Sequence, residues 1–385
     1  MNMRLLIVST LDSDQPFGAF TRPFYLGQYL AKHFDLCQMG LNCARVDYAK
    51  SVSVGSRSLL AYVRAVQKYI TEFSPDIIYA QETLPGLAAL IAVTLSRYKK
   101  CHLVFDFHTL SAFEYWTRLS STTNKFQEFK QFIKTYIAQG ILLFANCSVI
   151  AASAGTVQMI PQWYPTRSSK IYSVGNGVSE DLLQAPFVST PDPYQHLRPA
   201  KIAVVIAPKT YQFPSNDMSV DMTIEVARHL QDEMQEIHFV VIGRNAEDLK
   251  SSLPANITFI GFLQSRSDFI AHLAHADICL LPFPETAVAG GARNKALDFL
   301  ALKKLVISTP EGMRGLEEFR HQEHLIVTGY AVEEFAHTVQ EASANLPKYQ
   351  PLADTAYLLI QNQYSWQSMA DQVADIFNNQ VHKKI

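Results

Sequence analysis

Residues Leu280–Pro310 read LLPFPETAVAGGARNKALDFLALKKLVISTP. An apolar run stops at Pro282, a glycine-containing loop follows, and apolar residues then recur at Ala296, Leu297, Leu300 and Ala301. That spacing predicts a helix opening near Arg293–Asn294, and Leu305–Ser308 predicts the next strand. A loop with Gly290-Gly291 feeding a helix start offers unpaired backbone N–H groups at the positive end of the helix dipole, which suits an anion. Arg293 and Lys295 add positive charge beside Asn294, and Asp298 stands one turn further on, able to accept from sugar hydroxyls. On this pattern alone, a plain flexible turn with solvated charges stays open as the alternative.

The same rhythm runs outward in both directions. Short, continuously apolar runs at Leu5–Ser9, Ile77–Ala80, Leu103–Phe107, Ser148–Ala152 and Ile171–Val174 predict one set of strands. A second set is predicted at Ile202–Ala207, Phe239–Ile242, Ile257–Ile260, Ile278–Leu281, Leu305–Ser308 and Leu325–Val327. Amphipathic stretches such as Pro23–Lys32, Leu59–Phe73, Val220–Gln231 and Asp268–Ala274 lie between them. Strands apolar throughout, alternating with helices, imply α/β domains with parallel sheets covered on both faces. One stretch breaks the alternation: Ala185–Pro199, APFVSTPDPYQHLRP, has four prolines and no periodicity, and reads as a linker. The expected layout is residues 1–184, then the linker 185–199, then residues 200–365, with a last helix from about 366 to 385 crossing back. Two Rossmann-like halves suggest a working cleft between them.

Composition removes other classes. The chain of 385 residues is 48% hydrophobic and 18% charged, which excludes disorder. A net charge of −2 argues against a nucleic-acid partner held by phosphate contacts. The five cysteines, at 37, 43, 101, 147 and 279, include no C-x-x-C pair and read as buried thiols of a reducing compartment. No pair of histidines is spaced H-x-x-x-H, so no metal is expected, and no G-x-S-x-G or phosphate-binding P-loop occurs. The segment after Met1 is too short for a secretory leader, and Gly140–Ala154 is too short and too often interrupted for a membrane helix. A cytoplasmic protein is expected. Lys125–Ile141 mixes lysines with aromatics and reads first as a helix covering a sheet; a place at the inner face of a membrane is the other reading.

The segment Gly291-Ala292-Arg293-Asn294-Lys295-Ala296-Leu297-Asp298, ending in Lys304-Leu305-Val306, resembles the nucleotide-sugar signature of glycosyltransferase family 4. Other landmarks resemble that family in the same order. They are Val174-Gly175-Asn176-Gly177-Val178, Val241-Ile242-Gly243-Arg244, Ile257 to Leu263, and Ala274-His275-Ala276-Asp277. The resemblance implies a GT-B fold, two Rossmann-like domains facing each other across a cleft. It implies a retaining, metal-independent hexosyltransferase that takes a nucleotide-diphosphate sugar as co-substrate and uses no cofactor. The acceptor would be a glycan, a lipid-linked or a small molecule, in polysaccharide or glycoconjugate synthesis. The second half would hold the donor through Lys209, Arg244, Glu285, Gly290, Gly291, Arg293, Asn294, Lys295 and Asp298. Phe262 and Leu263 would lie in the loop that meets the base.

The signature is not copied intact. Its two glutamates fall at Gly290 and at Asp298, one methylene shorter, and Glu285 is the acidic residue nearest the vacated position. Its usual Lys-Gly pair falls at Met218-Ser219, which leaves Lys209, Arg244, Arg293 and Lys295 to meet the diphosphate. In the first half the resemblance places His108, at the end of a strand, beside the transferred sugar as the catalytic residue. It also places the loop Asp12–Arg22, with Gly18 and Arg22, toward the acceptor. These departures keep a rival open: a GT-B protein that binds a nucleotide or sugar as a partner or regulatory subunit without transferring it. A nucleotide-sugar epimerase is a more distant one.

Overall fold

The computed structural model describes residues 3–14, 20–96, 98, 101–119, 124–145, 147–164, 171–209, 214–231, 236–249, 252–289 and 291–382. The chain divides into two compact units, one of residues Met1–Gly177 with Trp366–Ile385, the other of Val178–Ser365.

Among the described residues, unit one is built on seven parallel strands: β1 (Arg4–Val8), β2 (Asp35–Gly40), β3 (Lys50–Ser53), β4 (Ile77–Gln81), β5 (His102–Phe107), β6 (Ser148–Ala151) and β7 (Ile171–Ser173). Their order is β3-β2-β1-β4-β5-β6-β7, so the topology reverses between β1 and β4, where Leu5 stands beside Ile77. β4 and β6 are buried at every position, as expected of strands with helices on both faces. β2 and β3 are not among the strands predicted from apolar runs. β2 reads DLCQMG, and its Gln38 is fully buried with Nε2 donating to Ser9 Oγ. β3 is an edge strand of four residues, KSVS, three of them exposed. The helix Trp366–His382 belongs to this unit. Trp366 stacks on Tyr25 with ring centroids 5.6 Å apart, and Phe377 packs edge-on against Phe34 and Tyr79. Gly177 admits that return, because a Cβ there would lie 2.7 Å from the backbone of Trp366.

Among the described residues, unit two carries six parallel strands: β8 (Lys201–Ile206), β9 (Ile237–Ile242), β10 (Ile257–Ile260), β11 (Ile278–Leu281), β12 (Leu305–Ser308) and β13 (Ile326–Val327). Their order is β10-β9-β8-β11-β12-β13, with the reversal between β8 and β11. The proline-rich stretch expected to be a linker is part of this unit, and the division falls at Gly177/Val178 instead of after residue 184. Arg198 explains why. Its guanidinium reaches Asp192 at 3.1 Å and Asp277 at 2.6 Å, and donates to the carbonyls of Ala200 and His275. Tyr194 beside it is buried. Charge pairing and one buried aromatic thus fold a segment that its prolines alone would leave extended. The five cysteines are free thiols, four of them buried. Among the described residues no helix is long and apolar enough to cross a membrane.

Candidate functional site

In open parallel sheets, ligands collect beyond the carboxyl ends of the strands at the reversal of strand order. In unit two those ends belong to β8 and β11, with the neighbouring ends of β9 and β12. The β11 strand leads into the loop that enters the helix Asn294–Ala301, whose buried residues Ala296, Leu297, Phe299, Leu300 and Ala301 seat it on the sheet. At the end of β9 the chain turns through Gly243 at φ +98°, which an L side chain rarely adopts. A Cβ there would also meet Pro208 at 2.8 Å.

Lys295 lies half-buried in the first turn of this helix. Its Nζ donates to the Ile206 carbonyl at 2.5 Å and to Asn216 Oδ1 at 2.9 Å, and sits 5.1 Å from the centre of the Phe283 ring. Burial first, then the charges of Arg293 and Arg244, lower the ammonium to about 7. Two of its three N–H donors are engaged, which leaves one for a ligand. Arg244 is buried, pairs with Asp217, and has an Nε without a hydrogen-bond partner. Asp298 follows one turn after Lys295. Burial raises its carboxyl to about 6, although Arg266 acts against the rise; Arg266 itself is bound to Asp181 at 2.8 Å and to Ser179.

Arg293, expected to hold the diphosphate, is engaged by protein groups on several sides. Its guanidinium lies 3.5 Å over the Phe283 ring and donates to the carbonyls of Ala287 and Glu311 and to Ser215 Oγ. Only 6% of its side chain is exposed, and burial lowers it to about 10. The partner that sequence reasoning missed is Glu311, buried at the end of β12. Its carboxylate takes the Ala289 N–H and two donors of Arg314, and lies 3.6 Å from Arg293. Lys209 is exposed and paired with Asp248 at 2.5 Å. Glu285 and Asn294 are exposed, Gly291 and Leu263 partly buried, and the Phe262 ring is 63% exposed. Gly290 and Gly18 lie outside the described residues.

In unit one the reversal places the ends of β1, β4 and β5 side by side, and His108 follows β5 directly. Its Nδ1 lies 3.3 Å from Glu82 Oε1, with 11% of the side chain exposed, and its Nε2 is buried without a hydrogen-bond partner. Glu82 follows β4 at φ +70° and takes the Thr10 hydroxyl at 3.1 Å. Burial favours its neutral form, but the hydrogen bond from His108 and the Thr10 hydroxyl prevail and hold the carboxyl below its ordinary value. Close by, burial raises Glu114 to about 7, against the hydrogen bond from Thr109. Glu82 escaped sequence reasoning, yet the rule that singled out His108, a polar residue just past a buried strand, applies to it equally.

Arg22, expected at the end of the loop toward the acceptor, stands in the first turn of the helix Thr21–Leu30, 3% exposed. Its Nε donates to Asp106 at 2.9 Å and its Nη1 to the Gly175 carbonyl at 2.5 Å, while Tyr79 donates to the same carboxylate. Burial would weaken the charge, but Asp106 and Tyr79 more than restore it and raise the guanidinium above its ordinary value. Among the described residues no group of three or more His, Cys, Asp or Glu side chains is arranged to hold a metal ion.

Residues 201–345 match the family profile described as Glycosyl transferases group 1, and residues 44–182 match that of Glycosyltransferase Family 4. No curated protein matches the chain by sequence. Among solved structures, a glycosyltransferase from Rickettsia africae is 16% identical, with a TM-score of 0.71 over 98% of both chains. Sucrose-phosphate synthase from Thermosynechococcus elongatus is 13% identical, with a TM-score of 0.73 over 99% of this chain and 100% of that one. Anabaena HepE, solved in complex with UDP-glucose, is 14% identical, with a TM-score of 0.72 over 98% and 100%. With a glycosyltransferase profile on each unit and that fold shared along its length, the chain belongs to the family-4-type glycosyltransferases of the GT-B fold.

Proposed function

We propose that the protein transfers a hexosyl group from a nucleotide-diphosphate sugar to an acceptor hydroxyl, with retention at the anomeric carbon and without a metal ion. The product would be a polysaccharide or glycoconjugate. The observation that carries this reading is Lys295: a lysine at a helix start, held by Ile206 and Asn216, lowered to about 7 and left with one donor. Such a group is costly to keep in a fold and gains a partner when a diphosphate arrives. That Anabaena HepE was solved with UDP and with UDP-glucose supports a uridine nucleotide as the first donor to try.

In this reading, breaking the sugar–phosphate bond leaves its electron pair on the diphosphate. Lys295, Arg244 and the first amides of the helix Asn294–Ala301 meet that charge with dipoles and cations already in place. Asp298 accepts from the ribose hydroxyls, and the exposed Phe262 ring offers a face on which the base stacks. Glu82 accepts the Nδ1 proton of His108 and so fixes the tautomer in which Nε2 presents a lone pair. That nitrogen, buried without a hydrogen-bond partner, is left to accept from a hydroxyl of the ligand that unit one receives. The rival, a binder without transfer, draws on Met218 standing where the family pattern has lysine and on Lys209 being paired with Asp248. Release of sugar and nucleoside diphosphate from UDP-glucose or a related donor by the purified protein decides between them. Binding without any turnover, with or without acceptors, would leave the rival.

A further inference from the structure

The helix Lys125–Phe144 has two unlike faces. Glu128, Gln139, Leu142 and Leu143 are buried, and the two leucines join the core of unit one. Opposite them, Phe126, Phe129, Ile133, Ile137, Ile141 and Phe144 are all exposed, from 39% at Ile133 to 82% at Phe126. Steps of three and four residues line these six side chains up along a helix of about 30 Å. A stripe of this length is well beyond the scattered apolar residues of an ordinary surface.

The exposed charges of this helix are of one sign. Lys125, Lys130 and Lys134 are exposed on the same helix, and its single acid, Glu128, is buried against Arg118 at 3.2 Å. The helix Thr83–Ser96, packed beside it, carries no charged residue and adds an exposed Leu95 near its end. From the helix Ser111–Arg118, Trp116 adds a half-exposed ring, 5.2 Å from that of Phe132. Large apolar side chains in a row, an indole at the flank and lysines without exposed acids match a helix lying in the plane of a lipid interface. The lysine stems are long enough to follow the apolar face while the ammonium groups stay at headgroup level.

We propose that the helix Lys125–Phe144 docks unit one on an anionic membrane surface, its stripe at the acyl boundary and Lys125, Lys130 and Lys134 among the phosphates. This stands independently of the donor site. The test is co-flotation of the full-length protein with phosphatidylcholine vesicles, with and without about a third of phosphatidylglycerol. The expected result is binding to the anionic vesicles alone, weakened by salt. Ile133→Glu with Ile137→Glu should reduce it at least about tenfold, and Lys130→Gln with Lys134→Gln by about twentyfold. Leu60→Glu, an exposed apolar position on another helix, should leave it unchanged, and all variants should melt and bind nucleotide like the parent. Equal binding to neutral vesicles, or none to either, overturns the proposal. So does self-association in sedimentation that Ile137→Glu abolishes, which would give the stripe to a second copy of the chain.

Discussion

The Glu82 carboxylate lies 3.3 Å from Nδ1 of His108, on a backbone held at φ +70°. Glutamate rarely adopts that conformation, and strain of about 1–3 kcal/mol persists only where the surroundings fix it. Here they do: the Glu82 N–H donates to the Asp106 carbonyl at 2.8 Å, and its side chain joins Thr10 to His108. The pair spans the ends of two adjacent strands, where a ligand of unit one would sit.

His108→Ala is therefore expected to lower turnover by about 100-fold or more while nucleotide-sugar affinity stays near that of the parent. Glu82→Gln keeps the shape but no longer fixes the tautomer, and should fall between the two. Melting, donor binding and turnover measured on one preparation check this. A lowered melting temperature with normal turnover per folded molecule would return the pair to the scaffold.

What was legible in the sequence follows from what each residue needs to be recognised. The strands β1, β4–β6, β8, β9, β11 and β12 are short apolar runs, so burial shows in their composition; β10 is as apolar, though only Ile257 of it is buried. β2 is buried too, but a hydrogen-bonded Gln38 interrupts its pattern, and β3 owes its place to pairing with β2 alone. Lys295 and Asp298 stand in a local motif, and their places one turn apart on the helix Asn294–Ala301 were legible from it. Arg22 was not, because its partners Asp106 and Gly175 lie 84 and 153 residues away along the chain. Glu82 and Glu311 acquire their roles only when β4 lies beside β5 and β12 beside β11.

The two perturbed groups in unit two predict a pH profile. Asp298, raised to about 6, is neutral below that value and then no longer attracts ribose hydroxyls. Lys295, lowered to about 7, is neutral above that value and then offers no charge to a diphosphate. Nucleoside diphosphate affinity should thus peak between pH 6 and 7, falling on either side. Binding at pH 8 should take up a proton, seen as a dependence of the calorimetric heat on buffer ionisation enthalpy. Asp298→Asn should remove the acid limb and leave the alkaline one. A profile unaffected by that substitution would free Asp298 of the ribose.

Lys295 also predicts a conflict between stability and binding. Its folded value lies below the unfolded 10.5, so the unfolded chain holds more protons between those values and stability climbs with pH across that window. The cost of burying the charge is complete below about pH 7. Lys295→Met keeps the packing on Phe283 without the charge, and should raise the melting temperature most at acidic pH, with the gain shrinking toward pH 10. The same variant should lose nucleoside diphosphate binding by about tenfold or more. A variant that melts lower at every pH would show the ammonium to be a structural partner of Ile206 and Asn216 instead.

Arg293 separates bracing from binding. Its guanidinium covers Phe283, satisfies the carbonyls of Ala287 and Glu311, and faces the buried Glu311 carboxylate. Removing one member of such a buried set strands the others, at a cost of about 3–5 kcal/mol. Arg293→Ala is accordingly expected to lower the melting temperature strongly. Arg293→Lys should recover little, since an ammonium cannot reproduce a planar fork stacked on a ring. Any loss of diphosphate affinity in these variants should track the loss of folded protein, whereas Lys295→Met loses affinity in fully folded protein. Denaturant unfolding beside calorimetric titration of the three variants reads this difference. An Arg293→Ala protein with parental stability but weakened binding would move the guanidinium from the brace to the diphosphate.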